Sequence, residues 1–374
     1  MTIIEQLIQI KPKGHIMMEM IDKELIVPTG EYISEWLEDN NVSQAELAVR
    51  MSVSPKHVSQ LVNGEASLSH EVAHKLSLAT GVPADIWMAY ENQYRHDLAA
   101  AEKYESLIEQ AEYVDKVPTT YLRHLGLVTE TKRNTPALVG QLLQFFGVND
   151  LLSIEGLRKC SSAAFRKSSV SKDKPYELET WFKVGDKQVN ITSNSPVFNK
   201  DLLIEILPQI KDFTLLDPKE GILKAIDLLR TAGVFVCLTP PISGLGIHGA
   251  TRWVLNRPLV QLSLLWKTED QMWFTLLHEL GHVLLHPRGE FLSDQNSPQE
   301  AAANEFAARF FVPEESLSRV PSERDTMAVA RLAKKLGISP AMVLGQSQRM
   351  LGDYSWGNSL KRKVSFNEPF PAVS

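Results

Sequence analysis

Apolar side chains recur at helical spacing through most of the first 230 residues. Between residues 29 and 95 the apolar runs are short, and Ser, Asn and Gly separate them. The helical pattern continues in four further stretches: 98–114, 117–165, 199–212 and 221–232. A Lys- and Ser-rich stretch at 166–176 interrupts it and is typical of a solvated loop. We therefore predict that the N-terminal part of the chain is all-α.

The period of the pattern changes near residue 233, where β-branched and apolar residues run together. Three segments have the composition of strands in a small sheet: GVFVCL (233–238), TRWVLN (251–256) and LVQLSLLW (259–266). Arg257-Pro258 is expected to separate the last two. The Gly-x-Gly-x-x-Gly run at 244–249 precedes a strand rather than a helix, so we interpret it as a loop between strands and not as a nucleotide site.

Two helices and a helical tail follow the strands. They are predicted at 272–286, at about 298–312 and at 325–350. Thr268 to Gln271 has the pattern of a capping box before the first of them. The fold class is therefore α+β, in five parts: an N-terminal arm (1–28), a helix-turn-helix domain (29–95), a helical middle region (96–230), a domain with the small β-sheet (231–320) and a helical tail (321–374).

Composition and charge restrict the partners of the chain. Its 374 residues are 44% hydrophobic and carry a net charge of −6, so any nucleic-acid contact must be local. Cys160 and Cys237 lie far apart and form no disulfide framework. The sequence shows neither a secretion signal nor the roughly 20 apolar residues of a membrane span. We expect a cytoplasmic protein without membrane contact, and a solvated tail at Lys361-Arg362-Lys363.

Residues 43–64 have the pattern of a helix-turn-helix, SQAELAVRMSVSPKHVSQLVNG. A short helix ends at a turn of Met51, Ser52 and Val53. Ser54 can cap the second helix, and Pro55 suits its first position, where no backbone donor is needed. The second helix of such a motif enters the major groove of DNA. The candidate DNA contacts are Gln44, Ser54, Lys56, His57, Ser59, Gln60 and Asn63, whose polar groups can reach bases or phosphates.

The passage from Pro28 to Trp87 resembles the Cro/lambda-repressor-like domain of HigA-type antitoxins, through TGEYISEWLEDNNVSQAELA, SPKHVSQLVNGEASLS and VAHKLSLATGVPADIWMAYE. The resemblance implies a DNA-binding transcription regulator. Such domains usually read two half-sites, so we expect a homodimer on operator DNA. Residues 32–88 hold seven acidic and three basic side chains. That balance keeps open the alternative of a protein-interaction domain that has lost DNA contact.

His278-Glu279-Leu280-Gly281-His282 is an H-E-x-x-H motif on a predicted helix. Histidines four residues apart share a helix face, so both can bind one Zn²⁺ ion, and Glu279 is then the general base for an activated water. Gly281 removes a side chain where a strand or a substrate could approach closely. His286 continues the spacing but lies about 12 Å along the helix from His278, too far to share the ion.

The second helix, SPQEAAANEFAARFFVP (297–313), resembles the ImmA/IrrE family of metallopeptidases together with the motif helix. The resemblance extends to AAFRKS (163–168), GVFVCL, residues 249–287 and LAKKLGISPAMVLGQSQ (332–348). It implies a zincin-like domain of the gluzincin type that binds zinc and cleaves peptide bonds.

The third metal ligand is not settled by the sequence. In the family, a glutamate aligned with Ala302 supplies it. Glu300 and Glu305 are the candidates to replace it, and a weakened metal site is the remaining possibility. We favour Glu300 as the third ligand with His278 and His282, although Ser297 and Glu300 also form a capping-box pattern.

Two functions are compatible with these motifs. In the first, a DNA-binding regulator of antitoxin type carries a zinc endopeptidase that cleaves a partner regulatory protein, such as a toxin or a repressor. In the second, the protein is a non-enzymatic antitoxin or repressor, and its zincin-like domain only senses or docks a partner.

Overall fold

The computed structural model of the protein describes residues 23–160, 173–292 and 297–364. Most of the predicted arm and of the Lys- and Ser-rich loop, and the segment 163–168, lie outside the described residues. The described chain forms two compact units. We call them the N-terminal unit (residues 23–112 and 130–140) and the C-terminal unit (residues 113–129 and 141–364).

Residues 23–112 of the N-terminal unit form five α-helices, and Ser side chains begin three of them. They are α1 Thr29–Asp39, α2 Gln44–Met51, α3 Pro55–Val62, α4 His70–Thr80 and α5 Ala84–Glu109. Ser43, Ser54 and Ser69 each accept a hydrogen bond from the backbone N–H three residues later. The predicted turn is present at Ser52 and Val53, where Ser52 adopts a left-handed conformation, but Met51 is the last residue of α2 and not part of the turn.

Helices α1 and α3 approach each other closely. A Cβ on Gly30 would overlap the backbone carbonyl of Val62, so only glycine fits there. The helix α5 continues through residues 95 and 96, where the sequence placed a domain boundary. The core of the unit is formed by apolar side chains from all five helices, among them Ile33, Leu47, Leu61, Leu76 and Trp87.

Beyond residue 113 the described residues form helices and one small sheet, which confirms the α+β class. The helices are α6 Thr119–His124, α7 Thr135–Phe146, α8 Ser153–Cys160, α9 Pro175–Val189, α10 Lys200–Ile206, α11 Ile210–Phe213, α12 Pro218–Thr231, α13 Glu269–Leu285, α14 Pro298–Phe311, α15 Glu314–Leu317, α16 Thr326–Leu336 and α17 Pro340–Leu351. The strands are β1 Phe235–Thr239, β2 Gly249–Val254, β3 Arg257–Ser263 and β4 Phe291–Leu292.

The four strands lie in the order β1-β3-β2-β4. Strand β1 pairs with β3 in parallel, and β2 pairs antiparallel with both β3 and β4. The prediction that Arg257-Pro258 separates two strands is wrong, because both residues belong to β3. The turn is instead Leu255-Asn256, where both φ angles are positive as a two-residue hairpin requires. Pro258 precedes the part of β3 that pairs with β1, so its missing N–H leaves that pairing intact.

Helices cover both faces of this sheet. Val260 and Leu262 of β3 pack with the core that contains α13, whereas Gln261 turns to α9 and donates to the carbonyl of Trp181. A Cβ on Gly185 would overlap the Gln261 side chain, so α9 lies directly on the sheet. Helix α9 was not predicted from the sequence, although its buried residues Leu178, Trp181, Phe182, Gly185 and Val189 recur at helical spacing.

The beginning of α13 differs from the prediction. The side chain of Thr268 makes no capping hydrogen bond, and Glu269 is fully buried. Glu269 pairs with Arg362, whose guanidinium also donates to the carbonyls of Leu215 and Leu216. The expectation of a solvated tail at residues 361–363 is therefore wrong for Arg362, and also for Lys361, which pairs with Asp270 at 2.7 Å.

Helices α13 and α14 pack side by side in the C-terminal unit. Gly281 permits this, because a Cβ there would lie 3.1 Å from the Cα of Ala303. The neighbour at Gly281 is thus a helix, where the sequence analysis expected a strand or a substrate. No helix among the described residues is long and apolar enough to cross a membrane.

Candidate metal centre and nucleic-acid interface

Two histidines and one glutamate converge between α13 and α14. The Nε2 atoms of His278 and His282 lie 3.2 Å apart. Glu300 reaches both, with one carboxylate oxygen 3.0 Å from Nε2 of His278 and the other 3.1 Å from Nε2 of His282. All three residues are at least 93% buried. The structure therefore brings together the three side chains that the sequence nominated as metal ligands.

The geometry of α14 explains why Glu300 is the carboxylate at this position. The Ser297 hydroxyl accepts a hydrogen bond from the Glu300 N–H and caps the helix, which leaves the Glu300 side chain free to turn to the histidines. Ala302 lies about 200° around the helix from Glu300, on the other side. Glu305 is exposed and pairs with Arg309 at 2.5 Å.

Contact with the histidines keeps Glu300 ionised. Burial raises its pKa, but hydrogen bonds and charges from His278 and His282 outweigh burial and lower the pKa to about 2. For His278, burial lowers the pKa, while the hydrogen bond to Glu300 and the charges of Glu279 and Glu300 raise it above the ordinary value. The cluster thus offers one anionic oxygen donor and two imidazole nitrogens.

This donor set fits a divalent metal ion. One ligand atom from each residue lies within 4.8 Å of the others, as a single ion requires. Ligands bound tetrahedrally to zinc at about 2.0–2.1 Å are about 3.3 Å from one another. The observed separations of 3.0, 3.1 and 3.2 Å are close to that value. Two imidazoles and a carboxylate also match the ligand types of three-residue zinc sites.

Glu279 lies between the histidines in sequence and is held by the sheet. The Thr251 hydroxyl of β2 donates to Oε2 of Glu279 at 2.7 Å and lies 3.2 Å from its backbone carbonyl. A Cβ on Gly249, two residues earlier on the same face of β2, would overlap Oε1. The sequence analysis missed both residues. The only signal was Gly249, the last glycine of the run that was interpreted as a loop.

An aromatic residue and His286 close one side of the cluster. Phe291 of β4 stacks on the His282 ring, with centroids 4.6 Å apart and planes 9° apart. His286 directly follows α13, and its Nε2 lies 3.1 Å from the carbonyl of Gln299. Its ring therefore faces the start of α14 and is not part of the donor set, in line with the distance argument from the sequence.

The candidate DNA contacts lie on α3 and at the start of α2. Lys56 and Asn63 are exposed, and His57, Ser59 and Gln60 are half-buried, while Val58 and Leu61 face the core. Gln44 is exposed at the first position of α2. The Ser54 hydroxyl accepts from the His57 N–H at 3.1 Å, so it caps α3.

Residues 32–88 hold three basic side chains, and two of them have acidic partners. Arg50 pairs with Glu46 at 2.6 Å, and Lys75 pairs with Glu71 at 2.7 Å, each one helical turn away. Lys56 stands at the start of α3 without an acidic residue in the first turn of that helix. It is thus the best-placed positive charge on the candidate interface.

Comparison with known proteins assigns both regions to families. Residues 33–87 match the helix-turn-helix family, and residues 239–345 match the peptidase M78 family, described as the IrrE N-terminal-like domain. The second range contains His278, Glu279, His282 and Glu300. The chain is also similar to the uncharacterized HTH-type transcriptional regulator YddM of Escherichia coli (strain K12), with 39% identity over 74 residues, which are 20% of this chain and 77% of that protein.

Proposed function

Because the chain belongs to the HTH-type transcriptional regulators and carries an IrrE N-terminal-like domain of the peptidase M78 family, we propose that it joins operator binding to zinc-dependent cleavage of a partner protein. The partner is a regulatory protein, such as a repressor or a toxin, in the cytoplasm. The observation that carries the peptidase half is the contact of Glu300 with both His278 and His282 beside the buried Glu279.

His278, His282 and Glu300 are the proposed ligands of the ion. Zinc held by such residues supplies a Lewis acid that activates water and polarises a peptide carbonyl. Glu279 is the proposed general base, which takes a proton at its carboxylate and passes it to the leaving amine. Thr251 fixes one oxygen of that carboxylate by its hydrogen bond, and Gly249 leaves room for the other.

Metal content tests the ligand assignment. We expect about one zinc ion per chain in the purified protein and loss of that ion in His278→Ala, because two donors hold zinc much more weakly than three. A protein without bound zinc, or a His278→Ala variant that retains it, would contradict the proposal.

The catalytic role is tested with zinc-loaded protein and a peptide library from a digested proteome. Glu279→Gln removes the proton acceptor while keeping the size of the side chain, so we expect full zinc content and loss of cleavage products in mass spectra. Cleavage that is absent from the unchanged protein as well, with regulation unaltered in Glu279→Gln, would favour the docking or sensing role.

The DNA half rests on α3 and its polar face. We propose that a homodimer places two copies of α3 in successive major grooves of the operator. Selection from a random DNA pool should then return an inverted repeat, with half-site centres about 10 base pairs or a multiple apart. A single, asymmetric site would argue for binding as a monomer.

A further inference from the structure

A cavity of about 260 Å³ lies in the C-terminal unit, and its wall includes Phe274, one turn of α13 before His278. Residues of α13, α14 and α17 form most of its wall, and most of that surface is apolar. Its main apolar residues are Phe274, Ala307, Ala308, Phe311, Met342 and Gly345. The proposed catalytic and ligand residues do not use this cavity, so its role is open.

Three wall residues connect the cavity to the cluster. Phe274 precedes His278 by one helical turn, and the two rings lie 6.5 Å apart with nearly parallel planes. Ala308 lies one turn beyond Asn304, whose side chain hydrogen-bonds to His278. His248 directly precedes Gly249, which borders the Glu279 carboxylate. One turn of helix is about 5.4 Å, so the Phe274 wall of the cavity lies about that distance along α13 from the proposed ligand His278.

The size and walls of the cavity suit a large apolar group. A cavity of about 150 Å³ with apolar walls is enough to bind benzene. The charges at its edge disfavour a cation, since Arg349 is exposed there and the charge of Asp270 is offset by Lys361 at 2.7 Å. An apolar side chain enters such a space at less cost than a charged one.

We propose that this cavity binds a large apolar side chain of the peptide substrate, next to the bond that is cleaved. The inference rests on the proposed function, because it takes the metal cluster as the reacting centre. It adds a substrate class: peptides with Phe, Leu or Met at one position beside the scissile bond. Binding of that side chain would hold the peptide carbonyl at the cluster while Glu279 acts on it.

Three hydroxamate ligands test the proposal by calorimetry on the full-length, zinc-loaded protein. All three carry the same metal-chelating group, and they differ only in the neighbouring side chain, which is hydrogen, benzyl or aminobutyl. We expect the benzyl compound to bind about 10- to 100-fold more tightly than the hydrogen compound, from burial of one aromatic side chain. The aminobutyl compound should gain less than about threefold.

Filling the cavity should remove this preference. A Cβ on Gly345 would lie 3.6 Å from Asp270, an ordinary contact, and Gly345 lines the cavity, so Gly345→Leu adds its side chain there. Ala308→Leu fills it from the opposite helix and guards against misfolding of the first variant. Gly156→Leu is the matched control, since nothing lies within 4 Å of its Cβ position. Zinc content and the thermal midpoint are measured for each.

The outcomes separate this inference from the function on which it rests. Loss of the benzyl advantage in both filled variants, with the advantage kept in Gly156→Leu, supports the proposal. Equal binding of the benzyl and hydrogen compounds to the unchanged protein overturns it and leaves the cavity to a free apolar ligand. Failure of every hydroxamate to bind overturns the metal centre itself, and the inference falls with it.

Discussion

Gly249 and Thr251 define the environment of the proposed general base. One leaves space for the Glu279 carboxylate and the other donates a hydrogen bond to it. The position of that carboxylate is therefore set by the strand β2 as much as by the helix that carries it.

Gly249→Ala tests this arrangement. The added methyl group would displace the carboxylate, and a misplacement of about 1 Å typically costs about 100-fold in rate. We expect zinc content to stay the same while peptide cleavage falls by about that factor. Gly156→Ala, with open space at its Cβ position, is the control. Equal cleavage by the two variants would show that Glu279 does not need this space.

Lys56 is the residue that we expect to contribute most to phosphate attraction. Replacing Lys56 by Gln should reduce the slope of log K against log salt by about 0.9, as loss of one phosphate contact does. Binding isotherms at several salt concentrations measure it. Lys75→Gln is the matched control, because Lys75 is already paired with Glu71. A larger change in the control than in Lys56→Gln would place the DNA on another surface.

The site residues that lie on helices were predicted from the sequence, whereas Gly249 and Thr251 of the sheet were not. The spacing of His278, Glu279 and His282 follows from one helical turn. The choice between Glu300 and Glu305 stayed open, because it depends on how α14 is rotated against α13. Thr251 lies 28 residues from Glu279, and nothing in its local pattern points to that contact.

At the scale of elements, α13 is fixed at its first residue by a distant tail. Glu269 is fully buried, and Arg362 is its charged partner from 93 residues along the chain. The capping-box pattern is not formed here, because Thr268 makes no capping hydrogen bond, and the Gln271 side chain accepts from the N–H of Lys267. Likewise, α9 was missed although its buried apolar residues recur at helical spacing, because the Lys- and Ser-rich stretch was interpreted as a loop as far as residue 176.

Arg362→Met should destabilise the C-terminal unit by about 2–4 kcal/mol, because it leaves the buried Glu269 charge without its partner. Urea denaturation measures the free energy of unfolding. The double variant Glu269→Gln with Arg362→Met should recover part of the loss. Lys363→Met is the control, an exposed neighbour for which we expect a change within about 0.5 kcal/mol. Equal losses of unfolding free energy in Arg362→Met and Lys363→Met would show that the Arg362–Glu269 ion pair does not stabilise the unit.

At the scale of the whole molecule, the two proposed activities use residues of different compact units. The candidate DNA contacts belong to the N-terminal unit and the metal donors to the C-terminal unit. We therefore expect His278→Ala to lose zinc yet bind selected operator DNA with an affinity within about threefold of the unchanged protein. Electrophoretic mobility shifts measure it. If His278→Ala lost DNA binding together with zinc, the metal would have a structural role in both compact units.

The zinc content of two glutamate variants shows whether Glu300 is the third ligand of the proposed metal centre. Glu300 and Glu305 lie five residues apart on α14, yet only Glu300 contacts the histidines, whereas Glu305 pairs with Arg309 on the surface. We expect Glu300→Ala to lose the zinc ion and Glu305→Ala to retain about one per chain. Zinc retained in Glu300→Ala, or lost in Glu305→Ala, would contradict it.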